Sequence, residues 1–270
     1  MTPEIFFDLF VEELKQREEM QRYYKFLKDS KSYEFRKNYF LERLRYIYKH
    51  IKNKDHKVWD CGSGYGTTGL FLAMNGIKTH GTTLEFYYDT VSKRYDYWNQ
   101  HGNANLFTCS YENLFDNPPP PQSYDVIIVQ DTLHHLEPID TAFEIFHQTL
   151  KPLGKIVAIE ENGKNIIQRI KLYKYRGSKR IITQWDEKLQ KDIMIGNENI
   201  RSLKKWNALL KKHHFALDNT HTQYVRYYLP FMYGDNNGNY LLEQERLLQT
   251  KSIFRKEYFF FGINFIAHKQ

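Results

Sequence analysis

Apolar positions in the first fifty residues recur at helical spacing. Ile5, Phe6, Leu9, Phe10 and Leu14 form one stripe, and Phe40, Leu41, Leu44, Ile47 and Tyr48 form another. From about residue 55 the pattern changes to short apolar runs that alternate with helical stretches. Lys57-Val58-Trp59-Asp60 reads as a strand, Thr67 to Met74 as a helix, and Ile77 to Leu84 as a second strand. Phe86 to Asn99 reads as a helix and Asn105 to Cys109 as a third strand. The prolines at 118–121 mark a surface loop, because a proline run neither extends a helix nor pairs in a central strand. Tyr124 to Gln130 is an apolar run suited to a strand covered on both faces. Thr141 to Leu150 is helical and ends at Lys151-Pro152-Leu153-Gly154, and Lys155 to Glu160 is a fifth strand.

After Glu161 the alternation breaks. Asn199 to His213 is helical again, two strands are expected near 215–228 and 257–268, and a helical insertion near 239–252. Strands alternating with helices at this spacing predict a parallel α/β sheet. In such sheets ligands lie beyond the carboxyl ends of the strands. The expected organisation is a helical cap or lid over 1–53 and a main domain over 54–270. Within the latter, 162–196 and 229–252 are segments that would cover a substrate.

Composition adds little to this until charge and aromatics are considered. Tyr and Phe number 21 and 19, enough to line an aromatic pocket, although ordinary packing uses the same residues. The net charge of +7 attracts anionic partners, among them nucleic acid, acidic membranes and acidic carrier proteins. Between Glu161 and Asp186 stand Lys164, Arg169, Lys171, Lys174, Arg176, Lys179 and Arg180 with no acid among them. That stretch holds a carboxylate or an acidic carrier, or is a solvated helix. Cys61 and Cys109 make no disulfide scaffold and no zinc spacing, so no metal is expected. The early acids Glu4, Asp8, Glu12 and Glu13 argue against a targeting peptide, and no apolar run reaches membrane length. The cytoplasm is the expected compartment.

The chemistry begins at Asp60-Cys61-Gly62-Ser63-Gly64-Tyr65-Gly66. Glycines after a strand let the chain turn sharply and let a ligand approach the backbone where no Cβ intervenes. The spacing is G-x-G-x-G, not the dinucleotide G-x-G-x-x-G. An acid about twenty residues on, at the end of the second strand, is suited to ribose hydroxyls; Glu85 stands there. These features resemble class I S-adenosylmethionine-dependent methyltransferases. So do the fourth-strand segment running from Tyr124 through Gln130 and Asp131 to Pro138, and Leu150 to Lys155. The resemblance covers 54–161 well and 197–270 loosely. It implies a Rossmann-like, seven-stranded, mostly parallel sheet with helices on both faces, an N-terminal helical cap and an insertion after strand five. It implies S-adenosyl-L-methionine as cofactor, held by Asp60, Gly62, Gly64, Gly66, Glu85, Gln130 and Asp131. The family usually has an acid for the adenine amine after strand three. Here Cys109-Ser110-Tyr111-Glu112 stands instead, so Ser110, Tyr111 or Glu112 would take that place.

Methyl transfer needs an acceptor held in line and, where the acceptor carries a proton, a base. His134, His135 and Glu161, at the ends of strands four and five, are the catalytic candidates; an imidazole suits a phenol near neutral pH. Each has an alternative role, a loop-fixing hydrogen bond for the histidines and a solvated turn for Glu161. His213 and His214 are expected at the surface. No Asn/Asp-Pro-Pro-Tyr motif follows strand four, which argues against nucleic-acid amines. The tyrosines and phenylalanines of the covering segments favour an aromatic or phenolic small molecule, free or on a carrier protein. An RNA methyltransferase and a non-enzymatic assembly protein are the rivals, and a homodimer is open.

Overall fold

The computed structural model describes residues 1–28, 30–51, 53–85, 88–234 and 237–270. Phe86 and Tyr87, where a helix is expected to begin, lie outside them, as do Asp235 and Asn236 in the expected insertion. Three helices open the chain: α1 (Pro3–Lys15), α2 (Glu18–Tyr24) and α3 (Tyr33–His50). The alternating region follows as β1 (Val58–Cys61), α4 (Thr67–Met74), β2 (Thr79–Thr83), α5 (Tyr88–Trp98), β3 (Phe107–Tyr111), β4 (Tyr124–Gln130), α6 (Ile139–Thr149) and β5 (Leu150–Glu161). Then come α7 (Ile166–Arg176), β6 (Ile181–Asp186), β7 (Lys191–Gly196), α8 (Leu203–Lys212), β8 (Phe215–Val225), α9 (Gly238–Lys251), α10 (Ile253–Phe259) and β9 (Gly262–Lys269).

Seven strands make one sheet in the order β3-β2-β1-β4-β5-β9-β8. The first five run parallel, while β9 is antiparallel to both β5 and β8. This is the Rossmann-like methyltransferase architecture. Side chains alternate across each strand. Val58, Val126, Ile128, Val157 and Ile159 enter one core with α1, α3, α4 and α5. Trp59, Ile127, Val129, Ile156 and Ala158 enter the other with α6 and α8. The chain leaves β1 toward β3 and returns to pair β4 on the other side of β1. The strand order therefore reverses between β1 and β4, and a crevice opens at their carboxyl ends.

The N-terminal helices share the sheet's core. Phe6, Phe7 and Phe10 are fully buried, and Phe6 stacks on Trp98 of α5 at 4.4 Å between centroids. A good part of the aromatic excess is spent here as packing. A buried ion pair fixes the join. Arg94 of α5 donates to Glu13 of α1 at 2.8 and 2.6 Å, and Trp98 Nε1 donates to the same carboxylate at 2.9 Å. The remaining arm of Arg94 donates to the Tyr65 carbonyl at 2.6 Å and to Thr67 Oγ1 at 2.8 Å. The cap is thus wired to the glycine loop itself.

Three readings of the sequence are revised. Residues 162–196, read as one basic stretch, hold α7 and the antiparallel hairpin β6–β7. Lys151 to Gly154 does not separate α6 from the fifth strand. β5 starts at Leu150 and passes through an irregular register against β4, with Leu153 at φ 63°. His213, expected at the surface, is buried because Asp140 offers Nε2 a partner at 2.7 Å. Among the described residues no helix is long and apolar enough to cross a membrane.

Removing the Glu13 carboxylate leaves a guanidinium buried without its counter-charge. Glu13→Ala is expected to lower unfolding free energy by about 3–5 kcal/mol in urea denaturation. A loss below about 1 kcal/mol would mean that the cap is held by its aromatic packing alone.

Candidate active site

A cavity of about 1050 Å³ occupies the crevice between the ends of β1 and β4, with α3 above it and the β6–β7 hairpin at its side. Gly62 and Gly64 lie on its wall with φ of 81° and 56°, and their turn is tied to β2 by Gly62 and Ser63 amides donating to the Thr82 carbonyl at 2.9 Å each. A Cβ on Gly62 would stand 2.2 Å from Thr132 Oγ1. The loops after β1 and β4 therefore meet only because that position lacks a side chain. Gly66 has another job. It starts α4 with φ 73° and packs on the Phe107 ring, away from the cavity wall.

Asp60 sits at the cavity floor, buried, with Oδ2 lacking a hydrogen-bond partner among the described residues. Burial pushes its carboxyl up to about 7. Glu85 presents an exposed carboxylate on the wall beyond β2. Ser110 and Tyr111 do not reach the cavity. Ser110 Oγ lies 3.2 Å from His80 Nε2, and the Tyr111 hydroxyl donates to Asp186 at 2.7 Å and lies 3.0 Å from the Leu84 carbonyl. Glu112 and Asn113, one residue further along, take that part of the wall. Gln130 lines the wall too, its Oε1 accepting from Thr68 at 3.2 Å.

Opposite the glycine loop lies a charged lattice. Asp131, in the left-handed region at φ 51°, pairs with Arg43 of α3 at 2.5 Å. Glu161 pairs with Arg226. The Tyr39 ring lies between the two guanidiniums, 4.3 Å from Arg43 and 4.7 Å from Arg226. Burial works against ionised Asp131, yet Arg43 and Arg226 hold its carboxyl below the usual range. Burial raises that of Glu161 despite Arg226. Asp131 is thus committed to its arginine, and Glu161 is a paired wall residue, not a solvated turn.

The two histidines differ. His134 is buried, with Nδ1 2.6 Å from Glu160 and Nε2 3.8 Å from Glu198. Burial disfavours its cation, but the Glu160 carboxylate outweighs burial and holds the imidazole up at about 9. A group charged at neutral pH is no base there. Glu160 also accepts from the Thr132 and Leu133 amides at 2.9 and 2.7 Å, so this pair fixes the loop. His135 lines the cavity and its Nδ1 lies 2.9 Å from the Gly196 carbonyl. A carbonyl only accepts, so Nδ1 carries a proton, and in the neutral imidazole the lone pair is then the one on Nε2. Gly196 packs on the His134 carbonyl, where a Cβ would stand 2.0 Å away, so the hairpin closes directly onto this loop. Arg43, Arg226, Tyr39 and Glu198 were not signalled in the sequence, since each reaches the site from an element distant along the chain.

Residues 59–158 match the model of a methyltransferase domain. No curated protein matches the sequence. Solved structures with the same fold include an S-adenosylmethionine-dependent methyltransferase from Methanosarcina mazei, with 18% identity, TM-score 0.55, and 83% of this chain and 96% of that chain covered. The YcgJ protein from Bacillus subtilis has 16% identity, TM-score 0.56, and coverage of 85% and 98%. An S-adenosylmethionine-dependent methyltransferase from Mesorhizobium loti has 15% identity, TM-score 0.51, and coverage of 85% and 97%. Identities this low speak for the shared fold, and the domain match speaks for residues 59–158. Together with the sheet order and the glycine loop at its switch point, they place a methyltransferase domain at residues 59–158 within a Rossmann-like fold shared with S-adenosylmethionine-dependent methyltransferases.

Proposed function

We propose that the protein methylates a small aromatic or phenolic acceptor, at oxygen or at an activated ring carbon. The observation that carries this reading is the composition of the cavity beyond the glycine loop. Tyr23, Phe26, Phe35, Tyr39 and Phe115 line it, and so does His135, with Nδ1 on the Gly196 carbonyl. Ligand pockets usually run to about 300–1,000 Å³. A cavity at the top of that range has room for an acceptor beside the cofactor.

The residues present fit S-adenosylmethionine. Its sulfonium and amine are positive, and Asp60 offers a buried carboxylate oxygen, Oδ2, with no hydrogen-bond partner among the described residues. Gly62 and Gly64 let the ligand approach the backbone, Glu85 suits the ribose hydroxyls, and Glu112 or Asn113 suits the adenine edge. When bound, the cofactor supplies a methyl group on a positively charged sulfur, an electrophile that needs no activation by the protein. The protein's task is then to orient the acceptor and take its proton. In this reading His135 Nε2 accepts the phenol proton, and the Gly196 carbonyl holds the ring in the tautomer that can do so. The charged His134 ring, 4.2 Å from His135 between centroids, favours the phenolate that results. Asp131, Arg43, Tyr39 and Arg226 form the rigid wall against which the acceptor rests.

Two measurements check this. Incubation with S-adenosylmethionine and a panel of phenols is expected to give a product heavier by one CH2 with at least one of them. A panel of aliphatic amines that reacts instead would overturn the aromatic reading. His135→Ala is expected to lower kcat by about a hundredfold or more while leaving cofactor affinity nearly unchanged. Undiminished turnover would make His135 a loop-fixing residue only.

A further inference from the structure

Helix α7 buries none of its residues. A surface helix ordinarily turns its apolar side to the core. Here Ile167, Ile170, Tyr173 and Tyr175 are between 52% and 77% exposed. The neighbouring α10 shows the same property, with Ile253 at 74% and Phe254 at 62%. The two helices are tied where they begin and end. Lys164 pairs with Glu257 at 2.5 Å, and Asn162 donates to the Glu257 and Phe260 carbonyls at 2.9 Å each. Trp185 of the adjoining hairpin is half exposed. Isolated exposed apolar residues need no explanation, but two neighbouring helices that display them do.

The charge around these residues is one-sided. Seven lysines and arginines fall between Glu161 and Asp186 without an acid, and Arg255 and Lys256 lie on α10. From this pairing of outward apolar side chains with unbalanced positive charge, we infer that the α7–α10 face docks on an anionic lipid bilayer. A helix with Ile, Tyr and Trp projecting and Lys and Arg beside them lies in the headgroup boundary, where the apolar groups enter the acyl region and the cations meet lipid phosphates. A second copy of the chain would set two basic faces against each other. Gln168, Lys171 and Leu172 of the same helix line the cavity, so α7 carries both the docked face and part of the cavity wall. An aromatic acceptor dissolved in the membrane would then reach the site without crossing water.

That last step rests on the aromatic reading of the acceptor, whereas docking does not, and it is measured with neither cofactor nor acceptor present. The test is flotation of the full chain with vesicles of phosphatidylcholine alone and of equal parts phosphatidylcholine and phosphatidylglycerol. Binding is expected to the mixed vesicles and not to the neutral ones, and to weaken with added salt. Arg169→Gln with Lys174→Gln should weaken it roughly thirtyfold, at about 1 kcal/mol for each charge. Ile167→Glu with Ile170→Glu should abolish it, with the circular dichroism of the fold retained because both positions are exposed. Failure to bind mixed vesicles, or binding that these variants leave unchanged, would overturn the proposal. So would a dimer in analytical ultracentrifugation that Ile167→Glu with Ile170→Glu splits, or binding of an acidic soluble carrier protein in place of vesicles.

Discussion

A buried carboxylate that ends a strand and lacks a partner is a costly thing to build. Asp60 is one, with Oδ2 unpaired among the described residues, and it stands beside the glycine turn among the residues that line the cavity. The turn in turn depends on position 62 having no side chain, since Thr132 occupies the space a Cβ would need. The loop after β1 and the loop after β4 are therefore a single structural unit. Other residues of the cavity wall are placed relative to it: Glu85 by β2, Gln130 and Asp131 by β4, and His134 through the Glu160 carboxylate of β5.

Two ionic devices, one fully buried and one partly buried, attach the rest of the chain to this unit. Glu13 and Arg94 join α1 to α5 and reach the carbonyl of Tyr65 in the glycine loop. Arg43 and Asp131 join α3 to the end of β4. A buried pair seldom adds much net stability over apolar packing, but it fixes register, because each charge is penalised if it loses its partner. The N-terminal helices are thereby held over the cavity in one arrangement, and their aromatic residues become its roof.

The parallel core was legible because its signals are local. Tyr124 to Gln130 is apolar enough to be a strand buried on both faces, and Asp60 to Gly66 has a turn chemistry of its own. The acceptor side was not legible, because its contacts join distant residues. Arg43 is one of several charges on the polar side of a helical stripe, and nothing in its neighbourhood points to Asp131, which lies far along the chain. The β6–β7 hairpin lies past the basic run, in a segment whose short strands were not read as elements, so Gly196 as the partner of His135 was invisible. Ser110 and Tyr111 were reasonable expectations for the adenine edge. Their side chains go instead to His80 and Asp186, while Glu112, also expected from the sequence, and Asn113 line the cavity.

The most direct test concerns Asp60. Its carboxyl, raised to about 7 by burial, is protonated below that pH and ionised above it. A cationic ligand favours the ionised form, so S-adenosylmethionine affinity should rise as pH increases through 7. Calorimetric titration across this range should show that rise in the native protein and a lower, flat affinity in Asp60→Asn. An affinity that is indifferent to pH in the native protein, or unaltered in the variant, would contradict the account.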